Sequence, residues 1–369
     1  MRQIYIANVG DGLCISLDTI SDKIIQVDCG SQDGSEIAFE GWLRCNQFFM
    51  RLGNVFILSH FHIDHYNGLL YASYINRSHN HSEIKEVYYP GLPEFTEKKD
   101  FMYSLFAMNL RSFGSETGIM EYDFLKAISK INSGHRFKYR AVFKDDIINI
   151  GDSVFKVLWP PRTVKDDTTT ISIIKKALKD FKKALTEDVE IGELYERVKK
   201  EGVFEDYFKR GREGEPDYYS LEENEENNRN FIRRSKSELP EAVKEANKSL
   251  KEAANHLSLA LFEDNKLLFL ADTENFEIRQ IINGLKSSGT KNFYIFFITP
   301  HHGTHWDDSL KEIKCIYSIS SNGGKLYSMY SKIIPHFKKI SFKDTLATHV
   351  NGDIFKKIAI GNFLRLFLK

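Results

Sequence analysis

The sequence lacks an excess of either charge, and it lacks any long apolar run. Its 369 residues include 51 lysines and arginines and 51 aspartates and glutamates, so no overall field draws the chain towards nucleic acid. No stretch of ~18 apolar residues is present, so we expect no membrane span. The first residues enter a strand-like run, so we also expect no signal peptide. These absences predict a cytoplasmic protein without a membrane partner.

Paired cysteine motifs and several catalytic signatures are missing too. The four cysteines are scattered, with no Cys-x-x-Cys pair: Cys14, Cys29, Cys45 and Cys315. Cys14 and Cys29 fall in apolar strand-like runs, which favours small core residues in a reducing compartment. The sequence has no serine nucleophile elbow, no phosphate-cradling Gly-x-x-x-x-Gly-Lys loop and no dinucleotide Gly-x-Gly-x-x-Gly motif. The chain therefore offers no nucleophile or nucleotide site of these kinds.

Short strand-like runs alternate with helical patterns in the first part of the chain. The predicted strands are 2–8, 13–18, 23–28 and 54–58, and 142–157 is strand-like again. The predicted helices are 36–51 and 101–131. This alternation predicts an α/β layered fold. The length exceeds the ~250–300 residues of a usual single core, so one core with an insertion is expected.

The composition changes after Pro161. Residues 163–254 are rich in Lys, Glu, Asp and Asn, and 171–181 and 191–203 have the apolar spacing of amphipathic helices. Another helix is expected to start at Pro240, and the polar tract 220–230 is expected to be an exposed loop. We predict a helical insertion at 162–250 between two halves of one core, 1–161 and 251–369. The insertion is either solvated decoration or a lid or partner surface near a functional site.

Three imidazoles and a carboxylate follow the apolar run at 54–58. They are His60, His62, Asp64 and His65, all within six consecutive positions. Neutral imidazole and ionised carboxylate are ligands for divalent metals. The alternative is that these residues are ordinary polar loop residues, but a cluster of this kind at the end of a buried strand favours a metal site.

The motif His-x-His-x-Asp-His resembles the signature of the metallo-β-lactamase superfamily. The resemblance implies an αββα sandwich of two sheets between helical layers. It also implies that His60 and His62 bind one metal, while Asp64 and His65 help to bind a second. Two later segments extend the likeness, since residues 266–271 form a strand-like run ending at Asp272, and residues 296–300 precede His301 and His302. Asp272 matches the bridging carboxylate of the family, and His302 is favoured over His301 as the last ligand.

Further segments resemble the hydrolase domain of the DNA-uptake protein ComEC and its soluble relatives. They are residues 9–12, 25–30, 255–259 and 320–336. A middle histidine ligand found in many members of the superfamily has no counterpart, because the matching strand ends in Trp159. His135 and His256 are the other candidates by order, and for each of them a hydrogen-bonded or surface role is favoured. A missing ligand would weaken the first metal or leave a position open to water and substrate.

The chemistry implied is hydrolysis by a hydroxide activated between two divalent ions. Zinc suits the histidine-rich ligands, and manganese is the alternative. Asp64 and Asp272 would anchor the hydroxide, and His301 would hydrogen-bond a substrate oxygen or the leaving group. Asp28 would accept a hydrogen bond from a ligand imidazole and fix its tautomer, or else cap a local turn.

Three functions stay open because a fold alone does not choose among them. The first is a phosphodiesterase, most simply a nuclease with a nucleic acid substrate. The second is a hydrolase of a small ester, lactone, thioester or phosphocholine ester. The third is a metal-binding effector or sensor subunit of a multi-protein, defence-type assembly, with a protein partner bound through the helical insertion. The retained ligand set favours an enzyme.

Overall fold

The computed structural model describes residues 1–50, 53–75, 84–117, 119, 121–165, 167–202, 207, 217–219 and 239–358. The strands are β1 (Gln3–Ile6), β2 (Gly12–Asp18), β3 (Ile24–Ser31), β4 (Val55–Ile57), β5 (Glu86–Pro90), β6 (Phe137–Val142), β7 (Ile147–Ile150), β8 (Ser153–Trp159), β9 (Asp217–Tyr219), β10 (Ala260–Glu263), β11 (Leu267–Phe269), β12 (Phe293–Ile298), β13 (Lys314–Ser320), β14 (Ser341–Ala347) and β15 (Ile354–Lys357). The helices are α1 (Ser35–Phe49), α2 (Asn67–Tyr74), α3 (Lys98–Thr117), α4 (Phe124–Ile131), α5 (Thr168–Glu187), α6 (Val189–Glu201), α7 (Glu241–Asn255), α8 (Asn275–Ser287), α9 (Gly324–Ile340) and α10 (Thr348–Asn351).

The strands form two sheets. The first has the order β15-β1-β2-β3-β4-β5-β6-β9, and the second has the order β14-β13-β12-β11-β10-β8-β7. Strands β3 to β6 run parallel in the first sheet, and β11 to β14 run parallel in the second. Because the carboxyl ends of parallel strands meet at one edge of a sheet, the loops after them can share a site.

Apolar side chains of the two sheets pack against each other. Ile4 and Ile57 of the first sheet and Phe155, Phe269 and Ile298 of the second belong to one buried cluster. A second cluster joins the outer face of the first sheet to α1–α7, and a third joins the second sheet to α8 and α9. Burying each large apolar side chain contributes roughly 1.5–3 kcal/mol, so these three apolar clusters stabilise the fold. The architecture is the αββα sandwich expected from the sequence.

Most predicted elements of the first part are present, with one correction. The four strands and the first helix are confirmed as β1 to β4 and α1. The single helix expected at 101–131 is wrong, because it is divided into α3 and α4. Asp123 begins α4 by accepting hydrogen bonds from the amides of Leu125 and Lys126, which fixes a new helix start. Residues 142–157 contain the β7–β8 hairpin.

Helices are also present where the insertion was predicted. Ile174 and Phe181 of α5, Leu194 of α6 and Leu250 of α7 lie in the same buried cluster as α3. These helices therefore complete the outer layer of the first sheet. The polar tract at 220–230 lies outside the described residues, and the division of the chain at 161 and 251 stays a prediction. No helix in the described part of the chain is long and apolar enough to cross a lipid bilayer.

Candidate metal centre

The loop after β4 carries the four residues of the histidine motif. It makes one 3-10 turn at Ile63–His65 before α2 begins. The loop packs closely on β3, since a Cβ atom at Gly30 would lie only 2.0 Å from the carbonyl oxygen of Asp64. Only glycine leaves room for this approach. The turn brings side chains that are close in sequence into one buried pocket.

The structure places the predicted ligands in the loops that follow the carboxyl ends of β4, β11 and β12, which are strands of both sheets. One ligand atom each from His60, His65 and Asp272 lie within 4.8 Å of one another. His62 joins through His60, with 2.8 Å between His62 Nδ1 and His60 Nε2. His302 joins through Asp272, with 3.3 Å between His302 Nε2 and Asp272 Oδ2. We call His60, His62, Asp64, His65, Asp272 and His302 the buried cluster, because all six are at most 6% exposed.

Burial lowers the pKa of His60 and brings that of His62 to about 3, so both imidazoles are neutral. Burial acts to raise the pKa of Asp272, but the imidazoles of His302, His301 and His65 outweigh it and hold this pKa far below its usual range. Neutral imidazole beside ionised carboxylate is the protonation state that a divalent metal needs.

The pKa values of two other histidines in the buried cluster are raised instead of lowered. Burial lowers the pKa of His302, but the Asp272 carboxylate outweighs it and raises the value to about 9. Burial likewise opposes the rise in the pKa of His65, which comes from Asp28 and Asp272. At these two histidines the neighbouring carboxylates favour a bound proton, and a bound cation would take the place of that proton.

Asp28 supports the motif from β3. Its carboxylate accepts hydrogen bonds from the Ser59 amide at 2.7 Å and the Ser59 hydroxyl at 2.5 Å. The same carboxylate lies 2.7 Å from His65 Nδ1. A proton held on Nδ1 leaves His65 Nε2 free to face Asp272, which is 3.6 Å away. These are the contacts of the supporting acceptor expected from the sequence.

Among the described residues, no histidine fills the place of the missing middle ligand. The indole Nε1 of Trp159 donates to the carbonyl oxygen of His256 at 2.7 Å. The His256 ring turns to Glu277, with 2.7 Å between Nδ1 and the carboxylate. His135 is exposed at the surface. The hydrogen-bonded and surface roles favoured from the sequence match these positions.

Lys251 was not singled out in the sequence. It projects from α7, and its Nζ lies 3.6 Å from Asp64 Oδ1. Burial acts to raise the pKa of Asp64, but Lys251 and the nearby imidazoles hold it below its ordinary value. The Lys251 side chain is 34% exposed, so its ammonium group faces both the buried cluster and solvent. Nothing in the spacing around this residue distinguishes it from other lysines of the same helix.

His301 points away from the buried cluster. Its Nδ1 lies 3.3 Å from Glu274 Oε1, and its ring stacks on His305 with centroids 4.2 Å apart. Consecutive left-handed residues cause this divergence, with φ of 47° at His301, 56° at His302 and 87° at Gly303. Such strain costs of order 1–3 kcal/mol for each non-glycine residue and persists only where surrounding contacts hold it. We call Glu274, His301 and His305 the outer cluster.

The buried cluster fits divalent metal ions on two observations. His62 Nε2 and Asp64 Oδ1 are buried and form no hydrogen bond with any described residue. His62 Nε2 has no hydrogen-bond partner among these residues, and Asp64 Oδ1 has only the Lys251 ammonium at 3.6 Å. A buried polar atom without a hydrogen bond is costly, and an ion would satisfy both atoms. The donor set of four histidines and two carboxylates is also the chemistry that zinc accepts. The site can therefore hold metal.

Comparisons with known proteins find no matching family model and no matching curated protein. Similar solved structures include the subclass B3 metallo-β-lactamase MEM-A1 from a soil metagenome library, with 15% identity, TM-score 0.24, and coverage of 42% of this chain and 52% of that one. A β-lactamase domain protein from Burkholderia ambifaria shows 18% identity, TM-score 0.22, and coverage of 39% and 41%. Metallo-β-lactamase SMB-1 bound to 2-mercaptoethanesulfonate shows 19% identity, TM-score 0.21, and coverage of 43% and 51%.

The matched regions span about half or less of each of these structures. These neighbours have the metallo-β-lactamase fold. Their low TM-scores say nothing about chemistry, which rests on the residues of the site.

Proposed function

We propose that this protein is a metal-dependent hydrolase that cleaves phosphodiesters. The supporting observation is the pairing of a buried, metal-competent cluster with a partly exposed ammonium group at its edge. His60 and His62 would hold one divalent ion, and Asp64, His65 and His302 would hold a second, with Asp272 between them. When bound, such ions make water a nucleophile at neutral pH and neutralise charge on the scissile group.

The protein's own side chains supply orientation. Asp28 holds His65 by its Nδ1, so the ring cannot turn its Nε2 away from Asp272. The ionised carboxylates of Asp64 and Asp272 would anchor an attacking water or hydroxide and fix its direction. His301 lies next to the cluster, with 6.2 Å between its ring and that of His302. Its proposed catalytic role is contact with a substrate oxygen or the leaving group.

Lys251 favours an anionic substrate. An ammonium group is a compact point charge that binds phosphate oxygens, and a phosphodiester is already an anion before it reacts. A neutral ester or lactone has no negative charge in its ground state for this group to bind. The same residue ties α7, at the end of the predicted insertion, to the site. We therefore also propose that the insertion flanks the cleft and influences which substrates or protein partners reach it.

The proposal can be tested with substrates that share one leaving group. Zinc-loaded or manganese-loaded protein would be given bis(p-nitrophenyl) phosphate, p-nitrophenylphosphocholine and p-nitrophenyl acetate, followed by single-stranded and double-stranded oligonucleotides. We expect cleavage of the phosphodiesters above the rate of metal alone, and no hydrolysis of the acetate above that background. Cleavage of the oligonucleotides would identify a nuclease, and cleavage of phosphocholine ester alone would identify a small-molecule enzyme.

Two variants make this experiment decisive. Asp64→Ala should lose the activity, whereas Asp353→Ala should keep it, because Asp353 pairs with Arg44 and Tyr5 instead of the site. Hydrolysis of the acetate without any phosphodiester cleavage would reject the proposed substrate class. Equal activity in the Asp64→Ala variant would reject the proposed site.

A further inference from the structure

The outer cluster has the composition of a separate metal site. One ligand atom each from Glu274, His301 and His305 lie within 4.8 Å of one another. His305 Nε2 is 2.8 Å from Glu274 Oε2, and His301 Nδ1 is 3.3 Å from Glu274 Oε1. Two imidazoles and one carboxylate are thus directed at a common point, next to the buried cluster but distinct from it.

The two histidines are held parallel. They are four positions apart, and their rings stack with an interplanar angle of 7°. His301 Nδ1 is buried and forms no aligned hydrogen bond with any described residue, although Glu274 is near. The two oxygens of the Glu274 carboxylate could accept hydrogen bonds from both imidazoles, but His301 Nδ1 forms none, which leaves this buried nitrogen unsatisfied beside its partner. A shared ligand would satisfy both.

The surroundings prepare these side chains to bind. The Thr304 hydroxyl lies 3.0 Å from His305 Nδ1, which leaves Nε2 of that ring available. Asn255 donates its side-chain amide to Glu274 Oε1 at 3.0 Å and so orients the carboxylate. Metal-ligating histidines characteristically use their other ring nitrogen for such a hydrogen bond, and ligating carboxylates are likewise held.

The strained turn supplies independent support. The left-handed conformations of His301 and His302 send two adjacent imidazoles to two different clusters. The turn is held by the His301 amide, which donates to the Ala271 carbonyl at 2.8 Å, and by Asn322, which donates to the His302 carbonyl at 3.0 Å. Strain of this kind is characteristic of functional sites, because ordinary packing does not require it.

We propose that Glu274, His301 and His305 bind a further divalent cation of the zinc class. Two histidines and one glutamate form a three-ligand set that leaves a coordination position for water or a substrate oxygen. The side chains are 20%, 22% and 24% exposed for Glu274, His301 and His305, so this position faces solvent. Binding through Nδ1 would leave Nε2 of His301 for the substrate contact proposed above. The proposal stands apart from the identity of the substrate.

A neighbouring histidine–glutamate pair shows the contrast. His256 and Glu277 lie 2.7 Å apart, and Glu277 is in the first turn of α8, the helix that begins directly after Glu274. Glu277 is completely buried; its Oε1 faces the single imidazole of His256, and its Oε2 has no hydrogen bond among the described residues. This pair offers no second imidazole and no open position, so it has the chemistry of a structural contact. It therefore provides a matched control.

Zinc counting tests the proposal. Chelated protein would be dialysed against zinc chloride, freed of excess metal and measured by elemental analysis, with circular dichroism as the check on folding. We expect Glu274→Gln and His305→Gln each to bind one zinc ion fewer than the unmodified chain, whatever its total. Glu277→Gln should bind as many as the unmodified chain. Cobalt loading gives a second readout, since the visible absorption should lose one component in the same two variants.

The possible outcomes separate cleanly. Unchanged zinc content in both Glu274→Gln and His305→Gln overturns the proposal. Loss of more than one ion in both variants also overturns it, because the outer cluster would then not be a separate site. If Glu274→Gln does not fold, His305→Gln decides alone, because His305 is a loop residue with a partly exposed side chain. None of these counts depends on whether the protein cleaves a phosphodiester.

Discussion

The buried cluster and the outer cluster differ in solvent access more than in chemistry. Both combine imidazole with carboxylate, but the six residues of the buried cluster are at most 6% exposed. The side chains of the outer cluster are 20–24% exposed, and Lys251 at the edge of the site is 34% exposed. A charge inside the buried cluster is therefore screened much less by water and salt than a charge at the edge.

Because of this difference in exposure, we expect the buried cluster to bind metal and the partly exposed residues to contact the substrate. Ligands in the buried cluster are held by other buried groups, so they can fix an ion in one geometry but can touch little of a substrate. The side chains of Lys251, Glu274, His301 and His305 are partly exposed, so they can contact a bound substrate. Changes in the buried cluster should therefore abolish activity, whereas changes at the edge should alter which substrate is used and how tightly.

The largest effect is expected from loss of a buried ligand. His60→Ala and Asp272→Ala each remove a predicted ligand atom, and Asp272→Ala also removes the carboxylate that faces His302 and the Nε2 side of His65. We expect both variants to lose bound metal and their activity to fall by more than ~100-fold. This exceeds the roughly 10–100-fold loss that follows removal of a group that only supports a ligand. Elemental analysis and rates on bis(p-nitrophenyl) phosphate measure this. A folded variant that holds no metal yet keeps full activity would contradict the metal mechanism.

An intermediate effect is expected from the residue behind the ligands. Asp28→Asn keeps the shape of the side chain but removes the charge that faces His65 Nδ1. We expect a loss of about 10–100-fold in metal affinity or activity, as is usual for such supporting groups. Metal titration of the variant against the unmodified chain measures it, with Asp353→Asn as the control. Unchanged affinity would show that Asp28 acts only on the fold of the loop.

The two regions also differ in how far the sequence predicts them. The loop after β4 holds four ligand-type residues within six positions, and Asp272 and His302 each follow an apolar strand, so the sequence alone singles these residues out. The strand and helix patterns predict an α/β layered fold, and the αββα arrangement comes from the resemblance of the histidine motif to the metallo-β-lactamase superfamily. Lys251 could not be found this way, because its approach to Asp64 depends on how α7 packs across the first sheet.

The outer cluster shows the same limit. His301 and His305 are four positions apart, yet they share no regular helix, and Glu274 comes from a different segment. The backbone strain that turns His301 away from His302 is a tertiary effect. The division of 101–131 into α3 and α4 had a local signal, the capping residue Asp123, which the length of the helical pattern obscured.

The smallest effect is expected at the edge, from Lys251→Met. Methionine keeps much of the side-chain length but removes the ammonium group. We expect KM for a phosphodiester to rise by about 10-fold, because a hydrogen bond to a charged group contributes ~1.5 kcal/mol or more. Metal content should not fall, since Lys251 is not a ligand and its charge opposes a cation beside Asp64.

Lys248→Met, on the exposed side of the same helix, should leave KM unchanged. Steady-state kinetics at two salt concentrations measures this, and the difference between the two variants should shrink as salt screens the exposed charge. Equal KM values for both variants would show that Lys251 serves only to neutralise Asp64, and the preference for an anionic substrate would then have to come from the metal ions.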